Sequence, residues 1–218
     1  MNPAPSRPVS QDCATLATLR RLATSPRTRR ASCSSAAPAA VSFTERLVRP
    51  ASDVGSLAVL EGVRVIDVSR VLAGPLSAQT LADFGAEVVK LERPGVGDDT
   101  RSWEPSFGSK SDPDVRESAY FCSVNRGKRS VTLDFTRPEG AAIVRELARN
   151  ADVLVENYKV GTLARYGLGY EQLAEVNPRL IYVSVTGFGQ TGPYRTRAGY
   201  DTIIQALGGL LSITGQRD

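Results

Sequence analysis

The sequence contains no histidine, and that absence decides what chemistry its other polar residues can join. Ser-His-Asp triads, imidazole general bases and imidazole metal ligands are excluded within this chain. Asp67, Asp83 and Asp201 are the carboxylates that could be nominated as nucleophiles. Asp201 precedes a hydrophobic helical stretch and reads as its N-cap, and Asp83 lies inside a helix, so neither is favoured for a covalent role. Arg93 closes a predicted strand, where a guanidinium is either an anion ligand or a solvated surface group. Asn157 ends a later strand with an amide that both donates and accepts. It is either a ligand contact or a turn residue satisfying nearby backbone. Gly187, Gly189 and Gly192 spell G-x-G-x-x-G after a predicted strand, yet Pro193 follows at once where a dinucleotide fingerprint needs a helix. Close approach of backbone to a substrate is the better reading. Cys13, Cys33 and Cys122 form no C-x-x-C pair, so they suggest neither a zinc site nor a disulfide framework and fit a reducing compartment.

These residues need elements to place them. Val63–Val68 is a β-branched strand signal, followed by a loop over Ser69–Pro75 and a helix carrying Ala78, Leu81 and Ala82 to a natural end at Gly85. Glu87–Leu91 reads as the parallel second strand of a βαβ unit. From Pro94 to Lys128 the pattern dissolves into Gly, Pro, Asp and Ser, with one helical turn expected around Ser118–Cys122; so long an irregular stretch reads as a functional loop. Ser130–Phe135 is the next strand. Thr136 and Glu139 then form a T-x-x-E capping box, with Pro138 in the first turn, for a helix facing inward through Ile143, Leu147 and Ala151. Asp152–Glu156 and Leu180–Thr186 are further strands, short helical pieces fall at 161–166 and 170–176, and a helix is expected over Tyr200–Ile213. Strands alternating with helices predict a Rossmann-like, three-layer α/β domain with a mostly parallel sheet.

The chain has 218 residues, 41% hydrophobic and 23% charged, the composition of a globular protein with room for one core. Charged residues interrupt every apolar stretch before a spanning length, so no membrane span is expected. The net charge of +4 is unevenly held: residues 1–50 contain eight Arg against Asp12 and Glu45. The remainder is slightly acidic, which argues against nucleic acid as a partner. The Arg-rich, acid-poor, Ser/Ala-containing start, with Leu16, Leu19 and Leu22 among its arginines, has the make-up of a mitochondrial transit peptide. Residues 1–55 therefore read as leader and linker, with import into the matrix expected, and residues 56–218 as the folded domain.

Read in order, several segments resemble the family III CoA-transferases. They are L-E-G-V-R-V-I-D-V-S-R-V-L-A-G-P (60–75), L-A-D-F-G-A-E-V-V-K-L-E-R-P-G-V-G-D-D-T-R-S-W (81–103), N-R-G-K-R-S-V-T-L-D (125–134), D-V-L-V-E-N-Y (152–158), G-L-G-Y (167–170), N-P-R-L-I-Y (177–182) and G-F-G-Q-T-G-P (187–193) through G-Y-D (199–201). The resemblance covers everything after about residue 58 and, within the family, is strongest to the mitochondrial dicarboxylate type. It implies the N-terminal part of the family's large domain, with an acyl-CoA thioester and a carboxylic acid as substrates, no resident cofactor, and an interlocked homodimer for the whole protein. It implies CoA contacts at Leu72, Ala73, Arg93, Leu133, Asp134, Phe135, Thr136, Asn157, Tyr158, Lys159 and Arg165, with Arg197, Ala198, Gly199 and Tyr200 closing over the thioester. In such enzymes an aspartate attacks the thioester, giving an acyl-aspartyl anhydride and then an aspartyl-CoA thioester. No residue of this chain matches that aspartate, so the chain is expected to be inactive alone. Racemases of the same family place a His in a G-H-D motif; here the matching residues are Gly199, Tyr200 and Asp201, and Tyr is a poor base at neutral pH.

Overall fold

The computed structural model describes residues 58–108 and 116–216. Within V-R-V-I-D-V the hydrogen-bonded strand is β1 (Arg64–Asp67). Alternation sends Val65 to one face of the sheet and Ile66 to the other. Helix α1 (Ala73–Asp83) begins two residues earlier than the expected loop end at Pro75, because Pro75 is well suited to a first helical turn. β2 (Glu87–Glu92) returns parallel to β1, with Val88 opposite Val65 and Lys90 opposite Asp67.

The stretch expected to be irregular is more ordered than its composition suggests. A 3-10 turn (Asp99–Ser102) is capped by the Asp98 side chain, which accepts from the Thr100 N–H. An antiparallel pair comes next, β3 (Ser106–Gly108) with β4 (Arg116–Ser118), and then α2 (Ala119–Asn125), whose Phe121 N–H is capped by Ser118 Oγ. Here polar side chains supply the backbone partners that a hydrophobic pattern would otherwise announce.

β5 is Lys128–Thr132, displaced toward the N-terminus from the expected 130–135, so that Phe135 turns inward and is buried. The capping box does not form. Thr136 gives its N–H (3.0 Å) and hydroxyl (2.6 Å) to Asp134 Oδ1, and α3 (Pro138–Arg149) starts from Arg137 without a side-chain cap. Its buried face is Ala141, Val144, Leu147 and Ala148, with Ile143 only half-buried. β6 (Val153–Glu156), α4 (Tyr170–Val176) and β7 (Ile181–Ser184) complete the sheet. The expected helix over 200–213 is interrupted: α5 (Asp201–Leu207) stops, Gly209 takes φ 82°, and a 3-10 turn continues over Leu210–Ile213. Asp201 is not the N-cap. Tyr200 is, and Asp201 lies in the first turn accepting from Gln205 Nε2 at 2.6 Å.

All five strands of the main sheet are parallel, in the order β5-β2-β1-β6-β7. The chain builds outward from β1 through β2 to β5, then crosses back on α3 to add β6 and β7 on the other side. One apolar layer joins Ala78 of α1 to Val65, Val88, Val153 and Val155. The other packs α3 and Leu173 of α4 on Ile66, Val68, Leu91 and Leu154. The result is the expected three-layer α/β fold, and its reversal of strand order falls between β1 and β6, the place where open parallel sheets form a ligand crevice. No helix among the described residues is long and apolar enough to cross a membrane.

Candidate functional site

The crevice at the β1/β6 boundary is built around four residues, Ser69–Leu72, that lead from β1 into α1. Each of the first three has backbone held by a side chain from elsewhere. Asp67 Oδ1 accepts from Ser69 N (3.0 Å) and from the Ser69 hydroxyl, while Lys90 Nζ donates to Ser69 O (2.9 Å). Asn157 brackets Arg70, accepting its N–H at 2.8 Å and donating to its carbonyl at 2.6 Å. Val71 has φ 69°, a left-handed conformation that a β-branched residue adopts only under constraint, and its N–H points to Asp98 Oδ1 at 3.4 Å. α1 then opens with Leu72 as N-cap, no side-chain cap and no acidic residue in its first turn. Its first N–H groups and the positive end of its dipole are thus left for an anion. Gly74 makes the close packing possible: a Cβ there would lie 2.3 Å from Ser69 Cβ and 3.7 Å from Asn157 Cγ.

Beneath the turn lies a buried charge network. Lys128 Nζ donates to Asp67 Oδ2 (2.8 Å), Asn125 Oδ1 (2.8 Å) and Pro75 O (2.7 Å). Lys90 Nζ stands 3.0 Å from Asp98 Oδ2 and 3.8 Å from Asp67 Oδ2. Glu92 takes a two-pronged pair from Arg101 (2.6 and 2.7 Å), the Ser130 hydroxyl and the Asp98 N–H. Burial pushes the Lys128 ammonium down to about 8, with Asp67 restoring only part of the loss. Burial acts to raise Asp98 and Glu92, but Lys90 and the Thr100 donors outweigh it for Asp98, and Arg101 and Ser130 do so for Glu92. Both carboxyls end below their ordinary range.

The rim is cationic and aromatic. Arg70 Nη1 (3.1 Å) and Arg93 Nη2 (2.6 Å) share the Asp99 carboxylate, and the Arg70 guanidinium lies 5.0 Å from the centre of the Tyr158 ring. Arg70 Nε is buried without a hydrogen-bond partner. Tyr158 meets Phe135 edge to face at 5.6 Å, and Phe135 in turn meets Tyr166 at 5.9 Å. Burial raises the Tyr158 phenol, against the opposing pull of Arg70 and Arg93.

Of the residues singled out in the sequence, Arg93, Phe135 and Tyr158 line one cleft together with Ser69, Arg70 and Asp98. Leu72 and Ala73 begin α1 beside it. Asn157 closes the same crevice, but its amide is taken up by Arg70. Leu133, Asp134 and Thr136 form the turn after β5, where Leu133 N–H donates to Glu92 O (2.8 Å). Lys159, in the loop after β6, and Arg165, in a 3-10 turn over Leu163–Tyr166, are exposed. Arg197, Ala198, Gly199 and Tyr200 are exposed; the Arg197 guanidinium sits 4.1 Å over the Tyr194 ring and Gly199 abuts Gly187, where a Cβ would lie 2.4 Å from the Gly199 Cα. Among the described residues no hydrogen bond, ion pair or ring contact joins that stretch to the Arg93–Tyr158 rim. Sequence reasoning missed Arg70, Lys90, Asp98 and Lys128. The available signal was charged residues inside strand patterns, Lys90 in E-V-V-K-L above all. Among the described residues, no group of three His, Cys, Asp or Glu side chains is set to hold a metal ion.

The sequence matches the family model described as CoA-transferase family III over residues 60–218. It is 55% identical over 159 residues to the succinate–glutarate CoA-transferase of Agrobacterium fabrum, covering 73% of this chain and 40% of that protein. It is 51% identical over 167 residues to the human succinyl-CoA:glutarate CoA-transferase, covering 77% and 37%. The acetyl-CoA:oxalate CoA-transferase of Acetobacter aceti is 47% identical over 158 residues, with 72% and 39% covered. A crystal structure of a CAIB/BAIF family protein from Brucella suis superposes with a TM-score of 0.68 at 52% identity, over 73% of this chain and 41% of that one. The chain therefore spans about two fifths of the length of these relatives.

Proposed function

Because this chain belongs to CoA-transferase family III, we propose that it binds the CoA part of an acyl-CoA in the β1/β6 crevice, and that the full-length protein moves CoA between carboxylic acids. The names of its relatives favour dicarboxylates such as succinate and glutarate as the exchanging pair. The observation that carries the reading is the uncapped start of α1 beneath the Arg70–Arg93 rim. CoA presents a diphosphate and a 3′-phosphate, and guanidinium forks and helix N-termini are the groups that recognise phosphate. Tyr158 and Phe135 offer apolar surface beside those charges. The remaining residues implied by the family resemblance, Leu133, Asp134, Thr136, Lys159, Arg165 and Arg197–Tyr200, form the outer part of the proposed contact surface.

The described carboxylates serve structure at this site. Asp67 and Asp98 are buried in ion pairs, Asp99 is held by two arginines, and Asp201 accepts from Gln205 on an exposed helix. In this reading the chain supplies binding while the nucleophilic aspartate comes from elsewhere in the full-length protein, so the 218-residue chain alone transfers no CoA. Import into mitochondria by residues 1–55 and homodimer formation belong to the same proposal.

Calorimetric titration with CoA tests the site. In the full-length protein Arg93→Ala should weaken binding about tenfold, the loss expected for one charge-assisted phosphate contact. Unchanged affinity would place the phosphates elsewhere. Succinyl-CoA with glutarate is the assay for transfer. Transfer by the 218-residue chain that Asp201→Asn abolishes would overturn the assignment of the nucleophile, and deuterium appearing at the α-carbon of a 2-methylacyl-CoA in heavy water would favour a racemase.

A further inference from the structure

We propose that Lys90 and Asp98 are positioning residues that hold the Ser69–Leu72 turn in its strained conformation before the ligand arrives, so that CoA meets the uncapped N–H groups of Leu72 and Ala73 at the start of α1 already in place. The inference rests on the reading of the crevice as a CoA site and goes beyond it by assigning a function to two charged residues buried at its base.

The strain has a definite address. Val71 is the single non-glycine residue with positive φ among the described residues, and it sits one residue before the N-cap of α1. A β-branched side chain persists there only when its surroundings over-determine the backbone. The surroundings do so from three directions. The parallel register sets Lys90 directly opposite Asp67, which brings its ammonium under the carbonyl of Ser69. Asp98 reaches in from beyond β2, takes the Lys90 charge on Oδ2, and offers Oδ1 to the Val71 N–H as well as to Thr100 N (3.0 Å) and Oγ1 (2.8 Å). Asn157 fixes Arg70 between them.

Stability alone is a poor reason for this arrangement. Lys90 is 1% exposed and Asp98 2%, and buried ion pairs are commonly no more stabilising than apolar residues of similar volume. What apolar residues could not do is grip the carbonyl of residue 69 and the N–H of residue 71 at once. A turn held this way needs no ligand-binding energy to become ordered.

The test compares Val71→Gly and Asp98→Asn with the wild type in the full-length protein. Glycine adopts φ 69° without strain, so Val71→Gly should keep or raise the thermal unfolding midpoint while weakening CoA about tenfold, because the free turn samples other conformations. Asp98→Asn keeps size and an acceptor but removes the charge facing Lys90, and should give the same loss. In both, KM for acyl-CoA should rise with kcat within about twofold, and amide exchange in peptides covering 69–76 should quicken while β1 and β6 stay protected. A structural role alone would lower the midpoint and leave the affinity of the folded protein intact. Variants that bind CoA as the wild type does overturn the positioning role by itself. A wild type that fails to bind CoA overturns the site reading, and the proposal with it.

Discussion

At Gly74 the spacing between two backbone segments depends on one missing methyl group. A Cβ there would overlap Ser69 Cβ at 2.3 Å, and neither partner is the far end of a flexible chain, so Gly74→Ala must push α1 off the turn. We expect a loss of about 1–3 kcal/mol, the usual cost of overpacking, read as a lower urea midpoint with unchanged slope. An unaltered midpoint would mean that the turn yields freely. Asp99 poses the opposite case. Its carboxylate lies between two half-exposed guanidiniums, and exposed pairs contribute only about 0.2–1 kcal/mol. Asp99→Asn should therefore leave stability nearly unchanged, yet free both arginines and tighten CoA binding up to about fivefold, an effect that fades with added salt. Weaker binding in this variant would show that Asp99 orients the arginines and does not compete with the phosphates.

At the scale of elements, β1, β2 and β5 are tied to one another by charge as well as by their backbone ladder, with Lys90 of β2 and Lys128 at the start of β5 both turned toward Asp67 at the end of β1. Lys128 carries a folded-state value of about 8 against an ordinary value of 10.5, set by burial amid Asp67, Lys90, Asp98 and Asn125. Between those two values the unfolded chain holds the proton and the folded chain has released it, so this group makes stability rise with pH across that window. The gap in unfolding free energy between wild type and Lys128→Met should consequently grow in the wild type's favour from about pH 8 to about pH 10, measured by urea titration at each pH. A constant gap would mean that Lys128 keeps its proton. The acid limb has the other sign. Asp98 and Glu92 have lowered folded values, so their contribution is complete above their ordinary values and is lost as pH falls through the lowered ones.

For the whole molecule, charge is divided along the chain. The eight arginines of residues 1–50 lie outside the described structure, and the rest of the chain is slightly acidic. A fusion of residues 1–55 to a fluorescent reporter should accumulate in mitochondria; diffuse cytosolic signal would refute a leader function. The apolar surface is divided as well. α5 and the 3-10 turn after it bury no residue, leaving Ile203, Leu207, Leu211 and Ile213 exposed, whereas Leu154, Leu168 and Leu173 at the centre are fully enclosed.

By itself the sequence determined the layered α/β fold, the parallel pairing and most of the strands. Those features depend on local periodicity and on short right-handed crossovers, which a linear pattern carries in full. It also carried the family likeness and put Arg93, Phe135, Tyr158 and Asn157 near strand ends, where three of them line one cleft. It misjudged Thr136 and Asp201 because a capping residue is chosen by local competition: Asp134 engages the Thr136 hydroxyl and leaves Arg137 as the uncapped start of α3, and Tyr200 stands at the N-cap of α5. Only the tertiary structure decided what Asn157, Lys90, Asp98 and Lys128 do. Asn157 bonds a residue 87 positions away, and Lys128 an aspartate 61 positions away. Which partner a buried polar group finds depends on the strand order that brings distant segments together, and burial then makes that pairing obligatory, since an unmatched charge beneath the turn would cost more than the fold can spare.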